Sequence, residues 1–157
     1  MKIRFIITGR TGEQYLSEGI SIYEKRLKHY IHFEHIIIDL PKTLKSTSPE
    51  EARSNEASLI MRHLQSDDHV ILLDEKGSHY SSVEFAALLQ KHMNAGVRTL
   101  VFVSGGPFGF DPVVRERANF TLSLSRMTFT HQMVRLIFTE QLYRAMTILR
   151  NEKYHHG

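Results

Sequence analysis

Two stretches, HVILLD (69–74) and RTLVFVS (98–104), each place four apolar residues in direct succession. A strand with one wet face alternates apolar and polar residues. A strand that is apolar at every consecutive position is covered on both faces, as in a parallel sheet flanked by helices. The rest of the chain predicts matching partners. KIRFIIT (2–8), FEHIIID (33–39) and the short FTLSL (120–124) read as further strands. Between them lie helix signals. Thr11 with Gln14 has the spacing of a capping box for a helix to about Tyr30, with Leu16, Ile20, Tyr23 and Leu27 on one face. Ser48-Pro49-Glu50-Glu51 starts a helix to about Gln65. Ser81 with Glu84 caps a third, to about Asn94, with Gly96 at its end. Asp111-Pro112 opens a short fourth, to about Ala118, and a last helix covers about 131–150. LPKTLKSTS (40–48) reads as a polar, basic loop, EKGSHY (75–80) as a turn and SRMTFT (125–130) as a loop. Five strands alternating with helices predict an α/β fold, a parallel sheet with helices on both faces. Ligands in such folds bind at the carboxyl ends of strands, so the loops after Asp74, Ser104 and Leu124 are the ones to watch.

Several function classes drop out. The chain has no cysteine, which removes disulfides, thiolate nucleophiles and cysteine-ligated metals. No run approaches the roughly 18 apolar residues of a membrane span, and MKIRFIITGR does not read as a signal peptide. A cytoplasmic protein is expected. The net charge is +3, but unevenly spread. Residues 1–45 carry eight Lys/Arg against five Asp/Glu, 46–114 five against nine, and 115–157 seven against three. Two basic ends suit a polyanionic partner.

The loop in VFVSGGPFGFDP (101–112) holds Gly105, Gly106 and Gly109 with Phe108 and Phe110. It is neither a first-strand Gly-x-Gly-x-x-Gly nor a Gly-x-x-x-x-Gly-Lys-Ser/Thr phosphate loop. Glycines let a ligand approach the main chain closely, and the phenylalanines offer apolar cover. LSLSRMTFTHQMVR (122–135) puts Met127 and Phe129 in a non-helical stretch, where the core or an adenine ring or thioether would cover them. His29, His32 and His35 straddle a helix end and a strand, with no His-Glu-x-x-His, so no metal is expected. No Gly-x-Ser-x-Gly supports a hydrolase. Asp74 and Glu75 are neighbours on an extended chain and point apart, which suits solvation or ligand orientation better than a paired acid and base. The tail YHHG follows Arg144, Arg150 and Lys153, a grouping able to stack a base and touch phosphate.

The last helix carries Met133, Val134, Leu136, Ile137, Phe138, Leu142, Ala145, Met146, Ile148 and Leu149 around most of its circumference. A surface helix shows one apolar stripe. Apolar cover on two sides predicts packing on the sheet and on something else, a second subunit or, as the alternative, other helices of one domain around it.

Taken in order, LLDEKG, VSGGPFG, LSLSRMTFTHQMVR, EQLYRA and YHH resemble the SPOUT-class ribosomal RNA large-subunit methyltransferase H family, over the whole chain. The resemblance implies one α/β/α domain over 1–157, with a C-terminal trefoil knot and the cofactor region in roughly 70–157. It implies a homodimer that uses S-adenosylmethionine to methylate N3 of a pseudouridine in 23S ribosomal RNA on the assembled ribosome, with no membrane or metal involved. By position it assigns the cofactor to Leu73, Gly105, Leu124, Ser125, Arg126, Met127, Thr128 and Phe129, and substrate chemistry to Tyr154, His155 and Arg144. Arg126, His131, Arg144 and His155 are candidates for a base or cation that eases loss of the N3 proton. The family commonly has proline before the histidine of HQMVR. Here it is Thr130, which is expected either to loosen the loop or to serve as an N-cap. The competing readings are another RNA methyltransferase of this class, a nucleotide-dependent reductase, and a non-catalytic RNA-binding module.

Overall fold

The computed structural model describes residues 1–42 and 48–156, so most of the expected loop over 40–48 lies outside the described residues. The chain alternates strand and helix throughout: β1 (Lys2–Thr8), α1 (Gln14–Leu27), β2 (His32–Ile38), α2 (Pro49–Arg62), β3 (His69–His79), α3 (Ser82–Asn94), β4 (Thr99–Ser104), α4 (Pro112–Arg117), β5 (Phe120–Ser123) and α5 (His131–Leu149). All strand pairings are parallel, in the order β2-β1-β4-β3-β5. Crossovers β1 to β2 and β3 to β4 step one way across the sheet; β2 to β3 and β4 to β5 step the other. Leu27 of α1 and Phe85 and Leu89 of α3 pack on one face, while Ala57 and Ile60 of α2 and Val114 of α4 pack on the opposite one. That segregation is what a single crossover hand requires.

The unbroken apolar runs behave as expected. In β4, Leu100 and Phe102 face the first layer and Val101 and Val103 the second, all fully buried. Phe138 of α5 wedges between Phe5 and Phe102, with ring centroids 4.5 Å and 4.7 Å away. Such pairs add about 0.5–1.5 kcal/mol beyond their burial.

Local signals hold at most helix starts. Ser48 Oγ accepts from Glu51 N–H (3.1 Å), Asp111 Oδ1 from Val113 N–H (3.0 Å), and Ser81 and Glu84 form a reciprocal capping box. Gly96 takes φ +73° just past α3. Ser81→Ala is expected to cost about 1 kcal/mol, seen as a lower denaturant midpoint at unchanged m.

Three expectations need correction. Thr11 and Gln14 form no capping box: Glu13 is the N-cap, without a side-chain bond, and Thr11 Oγ1 instead accepts from Arg135 Nη1 (3.0 Å). A long-range partner outcompetes the local one. The segment EKGSHY is not a simple turn, because β3 runs on to His79. Leu73 and Ser78 both pair with Leu122 of β5, and residues 74–77 form a bulge between them. Gly77 permits this: a Cβ there would lie 2.6 Å from the Leu122 carbonyl carbon and 2.7 Å from that of Thr121. Finally, α5 lies between α1 and α3 on the sheet, so these two helices cover much of the circumference assigned to a second subunit. Leu136 of α5 sits where a Cβ on Gly19 of α1 would be, 2.9 Å from its Cδ1, which is how closely the two helices approach.

Candidate functional site

Strands β4, β3 and β5 are consecutive neighbours in the sheet. Their carboxyl ends therefore lie side by side, and the loops leaving them meet. The result is a cavity of about 400 Å³. Leu73 to Lys76 line it from β3 and its bulge, Ser104 to Phe110 from the glycine loop, and Ser123 to Ser125 with Met127 to Phe129 from the loop after β5. Arg115 of α4 and His131 and Val134 of α5 complete the wall. The volume falls in the range of small-molecule sites.

Each loop has a local reason for its shape. Gly109 takes φ +75°, a conformation side chains disfavour, and its N–H reaches the Gly106 carbonyl (3.3 Å). Phe110 folds back and is buried, with its ring 3.1 Å from where a Gly105 Cβ would sit. After β5, Ser123 Oγ donates to the Ser125 carbonyl (2.8 Å) and Met127 N–H donates to Ser125 Oγ (2.9 Å). These short serine bonds set a turn. Thr130 Oγ1 accepts from Met133 N–H (3.2 Å), so the residue that replaces proline is an N-cap. Met127 is 76% exposed and Phe108 50% exposed, which leaves an apolar rim on the cavity.

Asp74 and Glu75 do not act as a pair. Asp74 Oδ2 accepts from Arg115 Nη2 (2.7 Å) and its Oδ1 from Lys76 N–H (2.9 Å), which braces the bulge against α4. His131 is held below its usual pKa, first by burial and then by the nearby Arg135 charge. Its imidazole is neutral at pH 7 and able to accept a proton.

Of the assigned cofactor residues, Leu73, Gly105, Leu124, Ser125, Met127, Thr128 and Phe129 line the cavity; Arg126 is exposed and does not. Arg144, Tyr154 and His155 do not line it within the same chain. They gather on the outer surface of α1 and α5. Glu140 Oε1 accepts from Arg144 Nη2 (2.5 Å) and from the Tyr154 hydroxyl (3.0 Å), and the Arg144 guanidinium stacks over the Tyr154 ring at 4.7 Å. Tyr143 meets that ring edge-on, and the Tyr23 hydroxyl lies 3.4 Å from the Tyr154 hydroxyl. Burial, then hydrogen bonds with Tyr23 and Glu140, hold the Tyr154 phenol well above its ordinary pKa. It stays protonated at neutral pH. His155 Nδ1 is buried without a hydrogen-bond partner. The basic C-terminal end is also less free than its charge implies. Of its seven Lys/Arg, Arg115, Arg117, Arg135, Arg144 and Arg150 each hold a partner within the chain.

Sequence reasoning missed Arg115, Glu56 and Arg135. Only Arg135 left a trace, as a lone charge inside the apolar run MVRLIF. Among the described residues, no group of three His, Cys, Asp or Glu gathers to hold a metal ion, and no helix is long and apolar enough to cross a membrane.

Residues 1–155 match the family described as predicted SPOUT methyltransferase. The ribosomal RNA large subunit methyltransferase H of Christiangramia forsetii is 52% identical over 157 residues, covering 99% of both chains. The protein of the same name from Cytophaga hutchinsonii is 49% identical over 156 residues, covering 99% of this chain and all of its own. Among solved structures, a probable methyltransferase from Bordetella pertussis Tohama I shares the fold. Its TM-score is 0.58 at 13% identity, over 92% of this chain and 94% of that one. A probable methylase family protein from Haemophilus influenzae reaches 0.54 at 16% identity, over 99% of this chain and 70% of that one.

Proposed function

The chain belongs to the SPOUT methyltransferase family, and from that membership we propose that it is an S-adenosylmethionine-dependent methyltransferase acting on N3 of a pseudouridine in large-subunit (23S) ribosomal RNA, in the cytoplasm. The observation that carries this reading is the meeting of three strand-end loops in one cavity. Full-length relatives named for large-subunit ribosomal RNA methylation support the choice of substrate. Every cavity-lining residue falls between Leu73 and Val134, inside the stretch of roughly 70–157 that we read as the knotted cofactor region.

The residues fit the donor. Its adenine and thioether portions are flat or apolar, and Leu73, Phe110, Leu124 and Val134 offer apolar surface. Its polar edges need donors and acceptors, and the glycine loop presents main chain without an intervening side chain at Gly105. When bound, S-adenosylmethionine supplies a methyl group already made electrophilic by its sulfonium. The protein is left with alignment and exclusion of water. Leu73, Gly105, Leu124, Ser125, Met127, Thr128 and Phe129 would hold the donor, and the rim residues Met127 and Phe108 would shut out solvent. The N3 proton leaves as the ring nitrogen attacks. Of the candidates for receiving it, neutral His131 is the one in the cavity wall.

A homodimer belongs to this reading for a geometric reason. Arg144, Tyr154 and His155 reach the substrate only if a second chain brings its tail to the cavity. There Tyr154 donates a hydrogen bond, since its phenol stays protonated, and Arg144 faces phosphate. An assembled ribosome is the expected substrate, because so small a protein has little surface of its own for specificity.

Calorimetry with S-adenosylmethionine, light scattering for mass, and methyl transfer to large ribosomal subunits lacking the modification test the reading together. One donor site per chain, a dimer mass and N3-methylpseudouridine by mass spectrometry are expected. A monomer indifferent to the donor would overturn it, as would RNA binding with no methyl transfer to any RNA.

A further inference from the structure

We propose that Glu56 is a positioning residue: its buried carboxylate grips the Gly106 N–H and so fixes the glycine loop in the shape that lines the cavity. The inference rests on the donor site proposed above and concerns a side chain that does not itself line it.

Glu56 sits on α2 beside Ala57 and near Ile60, yet it is only 8% exposed. A carboxylate there has given up water and needs replacement partners. Gly106 N–H donates to its Oε2 (3.1 Å), and a Cβ on residue 106 would lie 2.3 Å from its Oε1. Carboxylate and glycine are therefore a matched pair, since only a residue without a side chain brings its N–H so close. The same helix sends Arg53 Nη1 to the Phe108 carbonyl (3.5 Å), a longer second tether.

The opposite charge comes from Arg135, 1% exposed on α5. It holds the end of β1 by donating to the Thr8 carbonyl (2.7 Å) and to Thr11 Oγ1 (3.0 Å). Burial pushes the Glu56 carboxyl up, and the Gly106 bond, Thr8 and the Arg135 charge pull it back. Thr8 Oγ1 and Arg135 Nε are buried beside it without a well-formed hydrogen bond. One buried polar cluster thus joins the glycine loop to α5, whose first turn supplies His131 and Val134 to the same cavity. Two walls are referenced to one carboxylate.

The test compares Glu56→Ala with Glu56→Gln, whose amide oxygen still accepts from Gly106. Hydrogen exchange of the Gly106 amide is read without ligand, and S-adenosylmethionine affinity by calorimetry. Glu56→Ala is expected to speed Gly106 exchange at least tenfold and weaken the donor about tenfold, with Glu56→Gln within about twofold of the parent in both. Parent-like Glu56→Ala, or Glu56→Gln as impaired as Glu56→Ala, overturns the proposal. If Glu56→Ala does not fold, Gly106→Ala reads the same contact from the other side, and unchanged donor affinity in that variant overturns it equally. A parent protein with no affinity for the donor sinks the functional reading instead, while the exchange measurement still judges the contact.

Discussion

Gly77→Ala is expected to lower the melting temperature by about 10 °C, a loss of about 3 kcal/mol in a chain of this size. The added methyl would meet main chain of the neighbouring strand, at 2.6 Å from Leu122 and 2.7 Å from Thr121. A flexible side chain can swing aside; two strands held in register cannot. Relief requires β3 and β5 to part at the bulge, which gives up the Ser78–Leu122 and His79–Ser123 pairings. Because β5 leads straight into the loop over 124–130, donor affinity should fall along with stability. Gly12→Ala is the control. Nothing lies within 4 Å of that site, and a change within about 0.5 kcal/mol is expected. Thermal melts of both variants decide the point. A Gly77→Ala protein that melts with the parent would mean the bulge opens freely.

Gly105→Val is expected to weaken S-adenosylmethionine binding about a hundredfold, or about 2.7 kcal/mol, while the chain stays folded. Its Cβ would sit 3.1 Å from Cε1 of Phe110, closer than ordinary packing, and valine adds two further methyls to that tight contact. The buried Phe110 is itself a cavity wall, so yielding there reshapes the site. The overpacking costs about 1–3 kcal/mol of stability, which a melt reports separately from the calorimetric affinity. Unchanged affinity would remove the glycine loop from the donor site.

Much of this architecture is legible in the sequence because its signals are local. Continuous apolar runs in β3 and β4 demand cover on both faces. Ser48, Ser81 and Asp111 mark helix starts that the structure reproduces. Three loops could be singled out because parallel strands leave their free ends on one side. The illegible parts depend on distant partners. Thr11 looks like a cap until Arg135, over a hundred residues away, claims its hydroxyl. Polar residues 75–80 read as a turn because the bulged end of β3, beside a short strand, lacks apolar alternation. Glu56 lies in a helix rich in charge, and nothing local distinguishes a buried glutamate from a solvated one. The apolar girth of α5 predicts a covered face, but periodicity does not say by what. Three helices crowd one side of the sheet, and α1 and α3 cover part of the middle one, with Met133, Ile137 and Leu149 left half-buried.

That central place of α5 has a consequence for synthesis. Phe138, Leu142, Ala145 and Met146 of α5 complete a core shared with Ile3 and Phe5 of β1, so β1 waits for a helix made more than a hundred residues later. A nascent chain cannot close this layer, or the cavity wall that α5 carries, until α5 itself has left the ribosome. Maturation of the site is thereby tied to the emergence of that helix.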